Sequence, residues 1–163
     1  MAIQVLCGRA EEMMSHITSN SIALICVSPP YNMGMPYPGV GDELPWADYW
    51  GMIYCVLVEQ AARVLVPGGR LAVNWPGYAM GKRAGKAHHH IFADMAGDAF
   101  KLMAEIVWEQ NVGARTAWGS FRSPSAPRFP SHHEFIQIWA KGSATRDASG
   151  KPPSDLTNAE FSE

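Results

Sequence analysis

With 163 residues, the chain has room for one domain with a proper core and not for two. Hydrophobic residues make up 47%, which is a globular composition and excludes a disordered chain, and a net charge of −2 does not by itself mark a nucleic-acid binder. No apolar run approaches the roughly 20 residues of a membrane helix, and Met-Ala-Ile-Gln-Val is not a signal-peptide start, so a cytoplasmic protein is expected. Cys7, Cys26 and Cys55 are far apart and form no Cys-x-x-Cys pair, which points to reduced structural thiols rather than a disulfide or zinc framework.

Ile3 to Leu6 is predicted as a short strand ending at Cys7-Gly8, and Glu11 to Ile17 as a short helix with Met13, Met14 and Ile17 inward. Ile22 to Val27 is an almost continuous apolar run, as in a strand buried on both faces of a parallel sheet, and it stops abruptly at Ser28-Pro29-Pro30-Tyr31-Asn32. Residues 33 to 45 are rich in glycine and proline and read as a loop. A helix then starts near Pro45, with Trp46, Tyr49, Trp50, Ile53, Leu57, Ala61, Val64 and Leu65 at helical spacing, and Pro67-Gly68-Gly69 is expected to stop it.

Arg70 to Trp75 is the next predicted strand. Ala87 to Met103 reads as a weaker helix, with Ile91, Met95, Ala99 and Leu102 inward. Glu105 to Trp108 and Phe135 to Trp139 complete the strands, with a long segment rich in serine, proline and arginine between them. After Lys141 the composition turns polar and reads as a linker. The alternation predicts an open, mostly parallel α/β sheet with helices on both faces and an antiparallel terminal strand pair. Ligands of such sheets bind at the carboxyl ends of the strands, where Ser28 to Asn32 sits.

Two acid-free stretches stand out. One runs from Glu59 to Asp94 and holds Lys82 and Arg83; the other runs from Glu109 to Glu134 and holds Arg115, Arg122 and Arg128. These five cations are the candidate phosphate contacts. His88-His89-His90 cannot converge on one ion from a single helix and is read as a polar helix start. Trp46, Trp50, Trp75, Trp108 and Trp139 fall on inward positions, and Trp118 lies in the long loop.

The turn at Ser28 carries the chemistry. A carbonyl between two prolines is a fixed acceptor, because both φ angles are locked and no N–H competes. Pro29 supplies that carbonyl and the Ser28 side chain a second acceptor; Tyr31 offers an aromatic face and Asn32 a brace for the loop. Two rigid acceptors suit an exocyclic base amino group. They draw its nitrogen toward tetrahedral geometry and free the lone pair to attack a methyl group, once the base has been flipped from the duplex.

Ser28-Pro29-Pro30-Tyr31 resembles the Asp/Asn/Ser-Pro-Pro-Tyr motif of the amino-methyltransferases, and the Asn32 extension is typical of DNA enzymes acting on cytosine N4 or adenine N6. Asp48-Tyr49-Trp50, Arg63 to Arg70, Leu71 to Trp75, Glu105 to Trp108, Thr116 to Ser120, Ser123-Pro124 and His133-Glu134 resemble later blocks of that family, in order, across roughly residues 3 to 141.

The resemblance implies a Rossmann-like sheet, S-adenosylmethionine as methyl donor, double-stranded DNA as partner and a prokaryotic or phage-host setting in restriction-modification. It implies catalytic roles for Ser28, Pro29, Pro30, Tyr31 and Asn32, cofactor contacts at Cys7, Gly8, Arg9, Ser28 and Pro29, and no metal. Serine at the first motif position favours cytosine N4 over adenine N6. The family's Gly-Asp pair reads Gly8-Arg9 here, and its glycine-rich cofactor loop is absent from the 163 residues. In the subgroup whose catalytic motif comes first, that loop lies near the C-terminus, so self-association or a complementing polypeptide is expected. The other reading is a truncated or split, non-catalytic remnant that binds nucleic acid.

Overall fold

The computed structural model describes residues 3–37, 42–77, 87–110 and 132–145. Four strands, β1 (Ile22–Val27), β2 (Leu65–Pro76), β3 (Phe100–Glu109) and β4 (His133–Lys141), form one sheet in the order β1-β2-β4-β3. β1 and β2 are parallel, and β4 runs antiparallel between β2 and β3. The expected antiparallel final pair is therefore present, in an α/β sheet.

One long helical run joins β1 to β2. It comprises α2 (Trp46–Ile53), a π-helical stretch (Tyr54–Gln60) and α3 (Ala61–Val64). Pro45 sits at its N-cap, where a missing N–H costs nothing. The apolar stripe of the run is buried at Tyr49, Trp50, Ile53, Leu57, Ala61 and Val64. Nothing in the sequence marks the π-helical segment.

The stripe packs on one face of the sheet. Leu71, Val73 and Trp75 of β2 and Trp139 of β4 alternate onto that face, all buried, and Phe92 and Ala96 of α4 (His88–Ala96) close the layer. The opposite face carries Leu24 and Cys26 of β1, Ala72 and Asn74 of β2, Ile136 and Ile138 of β4 and Ile106 and Trp108 of β3, by the register of the ladders. Leu24, Ile106 and Trp108 are about half exposed there. The helical run 46–64 and α4 both lie against the first face.

That asymmetry corrects two expectations. β1 is partly buried on one face and open on the other, and Trp108 is exposed, because no described element covers its side of the sheet. β1 is an edge of the four described strands.

Three further segments differ from the reading of the sequence. Residues 3–7 have no regular structure, and Ile3 and Val5 are exposed, since no described strand pairs with them. The short helix is α1 (Ala10–Met13), continued by one 3₁₀ turn over Met14–His16. The helix expected to reach Met103 ends at Ala96 before Gly97, because Phe100 to Leu102 pair with Lys141 to Trp139 instead.

Pro67-Gly68-Gly69 does not terminate the structure but lies inside β2 as a bulge. Leu65 pairs with Ile22 and Arg70 already with Leu24. Gly68 takes φ 69, and a Cβ on Gly69 would meet the Val66 carbonyl at 2.8 Å, so both positions call for glycine. Among the described residues no helix is long and apolar enough to cross a membrane.

Candidate active site

Parity along the strands sets the site. Val27 pairs with Val73 on the helix-covered face, which puts Ser28 and Asn74 side by side on the open face. β4 runs the other way, so its first residues, His133 and Glu134, reach the same end of the sheet as the last residues of β1 and β2. The turn Ser28-Pro29-Pro30-Tyr31 bends across this end.

Tyr31 is pinned by its hydroxyl. Tyr31 Oη lies 3.0 Å from Ser28 Oγ, accepts from Asn74 Nδ2 at 3.0 Å and approaches Glu134 Oε2 at 3.5 Å. Asn74 Nδ2 also donates to the same Glu134 oxygen. The Tyr31 phenol is pushed above its ordinary range, first by burial and then by the Glu134 carboxylate, while the Ser28 hydrogen bond acts the opposite way.

The turn's backbone is held from the helix layer. Tyr49 Oη donates to the Pro30 carbonyl at 3.0 Å. His88 Nε2 lies 2.9 Å from the Tyr31 carbonyl; a carbonyl only accepts, so this ring nitrogen carries the proton. His88 is buried among Trp46, Tyr49, Trp50 and Trp75, with ring centroids 5.5 to 6.1 Å away. The carbonyls of Pro30 and Tyr31 are thus engaged from inside, and the carbonyl of Pro29 remains the turn's candidate acceptor.

Asn32 locks the exit of the turn. Its φ of 57 is left-handed, a conformation asparagine tolerates better than most residues. Its side chain donates to the Leu44 carbonyl at 3.0 Å and accepts from the Leu44 N–H at 2.6 Å. Asp42, itself buried, accepts from the backbone N–H groups of Asn32, Met33 and Met35 at 2.9, 3.0 and 3.1 Å. Asp42→Ala is expected to destabilise the protein by about 2 kcal/mol, because three backbone donors lose a charged acceptor. Urea unfolding measures this, and an unchanged midpoint would show that the loop does not depend on Asp42.

Ser28, Pro29, Pro30, Tyr31 and Asn32 are therefore brought together with geometry suited to holding and orienting a small planar group. Cys7, Gly8 and Arg9 lie just before α1 and are exposed; Arg9 pairs with Glu11 at 2.7 Å. The candidate phosphate contacts Lys82, Arg83, Arg115, Arg122 and Arg128, and Trp118, lie outside the described residues. His88 opens α4 as expected, but it and His89 are buried, contrary to a polar surface start, because α4 packs down onto β2 and β4. Burial pushes the His89 imidazole below its ordinary range.

Asp42, Tyr49, Asn74, His88 and Glu134 are not among the site residues expected from the sequence. Asn74 had one usable signal, a polar residue at the carboxyl end of an apolar strand. Glu134 stands at the start of a strand, and only the antiparallel pairing brings it to Tyr31 and Asn74.

Comparison with known proteins places the chain among relatives. The family profile described as DNA methylase matches residues 22–162. The chain is 36% identical over 154 residues to the type II methyltransferase M.MjaVI of Methanocaldococcus jannaschii, covering 90% of this chain and 75% of that one. A Thermus thermophilus protein described as a DNA modification methylase, solved with S-adenosyl-L-methionine, superposes with a TM-score of 0.64 at 21% identity, over 95% of this chain and 60% of that one. The cytosine-N4-specific PvuII DNA methyltransferase superposes with a TM-score of 0.54 at 17% identity, over 84% of this chain and 48% of that one. At such identities the two solved structures speak for the fold, and this chain spans less than two thirds of their length. The profile match over most of the chain and the archaeal relative carry the assignment: the chain belongs to the DNA methylase family.

Proposed function

We propose that this chain carries the methyl-accepting side of a DNA methyltransferase, placing the exocyclic amino group of a flipped base, cytosine N4 in preference to adenine N6, against the Ser28 to Tyr31 turn. The observation that carries the reading is the turn itself, in a chain of the DNA methylase family: a serine hydroxyl and a proline-locked backbone, braced from below by Tyr49 and His88. Such bracing matters because misplacing a reacting group by about 1 Å costs roughly a hundredfold in rate.

The methyl donor in this reading is S-adenosylmethionine, which one relative of the fold was solved with. When bound, it supplies an electrophilic methyl group on a sulfonium. The residues present fit such a donor: among the described residues the Glu134 carboxylate lies against Tyr31 Oη, which in turn lies 3.0 Å from Ser28 Oγ, an environment suited to a cation. Ser28 and Pro29 stand nearest the reacting end, and Cys7, Gly8 and Arg9 are proposed to contact the rest of the donor. Lys82, Arg83, Arg115, Arg122 and Arg128 are proposed to meet the phosphates of double-stranded DNA. Residues 1–141 make up the catalytic portion in this reading and 142–163 a polar linker or the beginning of target recognition.

A glycine-rich cofactor loop is not among the 163 residues. Half a cofactor site still restricts the ligand and returns only part of the contacts. These 163 residues by themselves are therefore expected to bind S-adenosylmethionine no tighter than ~1 mM, about −4 kcal/mol, and to turn over only when further polypeptide supplies the loop. Calorimetric titration checks the affinity; micromolar binding would show a cofactor loop built from other residues. Transfer of labelled methyl groups to DNA by the complemented chain tests the function.

A further inference from the structure

Three strands deliver a chain of hydrogen-bonding groups that ends in a carboxylate. Ser28 Oγ, at the tip of β1, lies 3.0 Å from Tyr31 Oη, and Tyr31 Oη approaches Glu134 Oε2 of β4 at 3.5 Å. Asn74 of β2 donates both to Tyr31 Oη, at 3.0 Å, and to that same Glu134 oxygen. The two amide hydrogens of Asn74 thus cap the phenol oxygen and the carboxylate together and hold them side by side.

The bookkeeping of donors fixes a direction. An ionised carboxylate has no proton to give, and Asn74 Nδ2 gives but does not accept. Tyr31 Oη already accepts from Asn74, so its own proton goes either to Glu134 or to Ser28. A charged acceptor makes the stronger hydrogen bond. The phenol proton then points at Glu134, and the Ser28 proton points at Tyr31. Ser28 Oγ is left with its lone pairs turned outward, which is the state an acceptor of an amino hydrogen must have. Were the chain reversed, Tyr31 would donate to Ser28, and Ser28 would present a proton where the target also presents one.

We propose that Glu134, acting through Tyr31, sets the polarity of Ser28 and receives the proton released when the base amino group is methylated. The inference deepens the proposed function and rests on it. As the amino nitrogen forms its bond to the methyl carbon, the carbon–sulfur bond breaks and its electron pair stays on sulfur. The nitrogen then holds one proton too many. That proton passes to Ser28 Oγ, the Ser28 proton to Tyr31 Oη and the Tyr31 proton to the Glu134 carboxylate, which returns it to water. Glu134 is a positioning and proton-accepting residue in this scheme; Ser28 is the group that touches the base.

The burial-raised phenol of Tyr31 gives a direct readout on the 163-residue chain. Among the described residues Tyr31 is faced by Ser28 from β1, Asn74 from β2, Glu134 from β4 and the His88 ring from α4 at 6.3 Å. In a chain labelled with ¹³Cζ-tyrosine, the Tyr31 signal is the one lost in Tyr31→Phe. Its titration is expected to move down in Glu134→Gln, because the carboxylate no longer opposes the phenolate. It is expected to move up in Ser28→Ala, because a donor to the phenolate is gone. A Tyr31 titration that Glu134→Gln leaves in place overturns the chain of contacts.

Methyl transfer by the complemented chain gives the second readout. Glu134→Gln keeps the shape and is expected to lower kcat about a hundredfold with little change in KM for DNA. In a Tyr31→Phe background the same change is expected to cost less than about twofold, since the link is already cut. An equal loss in both backgrounds overturns the route through Tyr31. A complemented parent that transfers no methyl group overturns the proposed function and the catalytic half of this inference, whereas the tyrosine titration reports on the contacts independently.

Discussion

Ser28→Ala is expected to lower methyl transfer by the complemented chain about a hundred- to a thousandfold, the usual cost of removing one preorganised polar group from a reacting centre. The side chain is exposed at the end of β1 and its described partner is the hydroxyl of Tyr31, so the fold should be unaffected. The loss should fall on kcat rather than on DNA affinity, because the hydroxyl acts on one amino group after the base has left the duplex. Single-turnover rates measured beside binding isotherms separate the two. A variant with parental rates would overturn the part given to Ser28 in the chemistry.

Trp75→Ala is expected to destabilise the protein by about 3–5 kcal/mol, the cost of truncating a large aromatic side chain in a packed core. Trp75 is fully buried, and its ring lies within 6.1 Å of His88, 6.0 Å of Trp50 and 5.2 Å of Phe92. It is the point where α2, α4 and β2 meet. Because a domain of this kind has only about 5–15 kcal/mol of stability in all, the variant should lose much of its cooperative unfolding transition. His88, which stacks on Trp75 and holds the Tyr31 carbonyl, should lose its position as well. Urea unfolding followed by near-ultraviolet circular dichroism checks this; a shift worth less than about 1 kcal/mol would mean that the core relaxes around the cavity.

The sequence made the helix-covered half of the fold legible, because burial there follows simple periods. The 3.6-residue stripe from Trp46 to Val64 and the apolar run of β1 both appear where expected. Period alone failed where a segment changes partner. Phe100 to Met103 continues the apolar spacing of α4, yet Gly97 breaks the helix and β4 offers a ladder to pair with. The Pro67-Gly68-Gly69 bulge was misread for a similar reason. Glycine and proline mark a change of backbone direction, and they do not say whether a strand absorbs it or ends there.

At the candidate site, the turn was legible because Ser28 to Asn32 is contiguous. The residues that support it come from elsewhere: Tyr49 from α2, Asn74 from β2, His88 from α4 and Glu134 from β4. No local pattern announces a buried histidine under a carbonyl or a glutamate carried in by an antiparallel strand. The basic stretches were the weakest inference, because charge without position says little, and all five cations lie outside the described residues.

The most direct measurement is the chemical identity of the methylated product. DNA is incubated with methyl-labelled S-adenosylmethionine and the chain complemented by a polypeptide bearing a glycine-rich cofactor loop, then digested to nucleosides and separated. The expected result is label in N4-methylcytosine, absent when the chain carries Ser28→Ala. Label on a ring carbon of the base, or equal labelling by the parent and Ser28→Ala, would contradict a methyl-accepting site built on the Ser28 to Tyr31 turn.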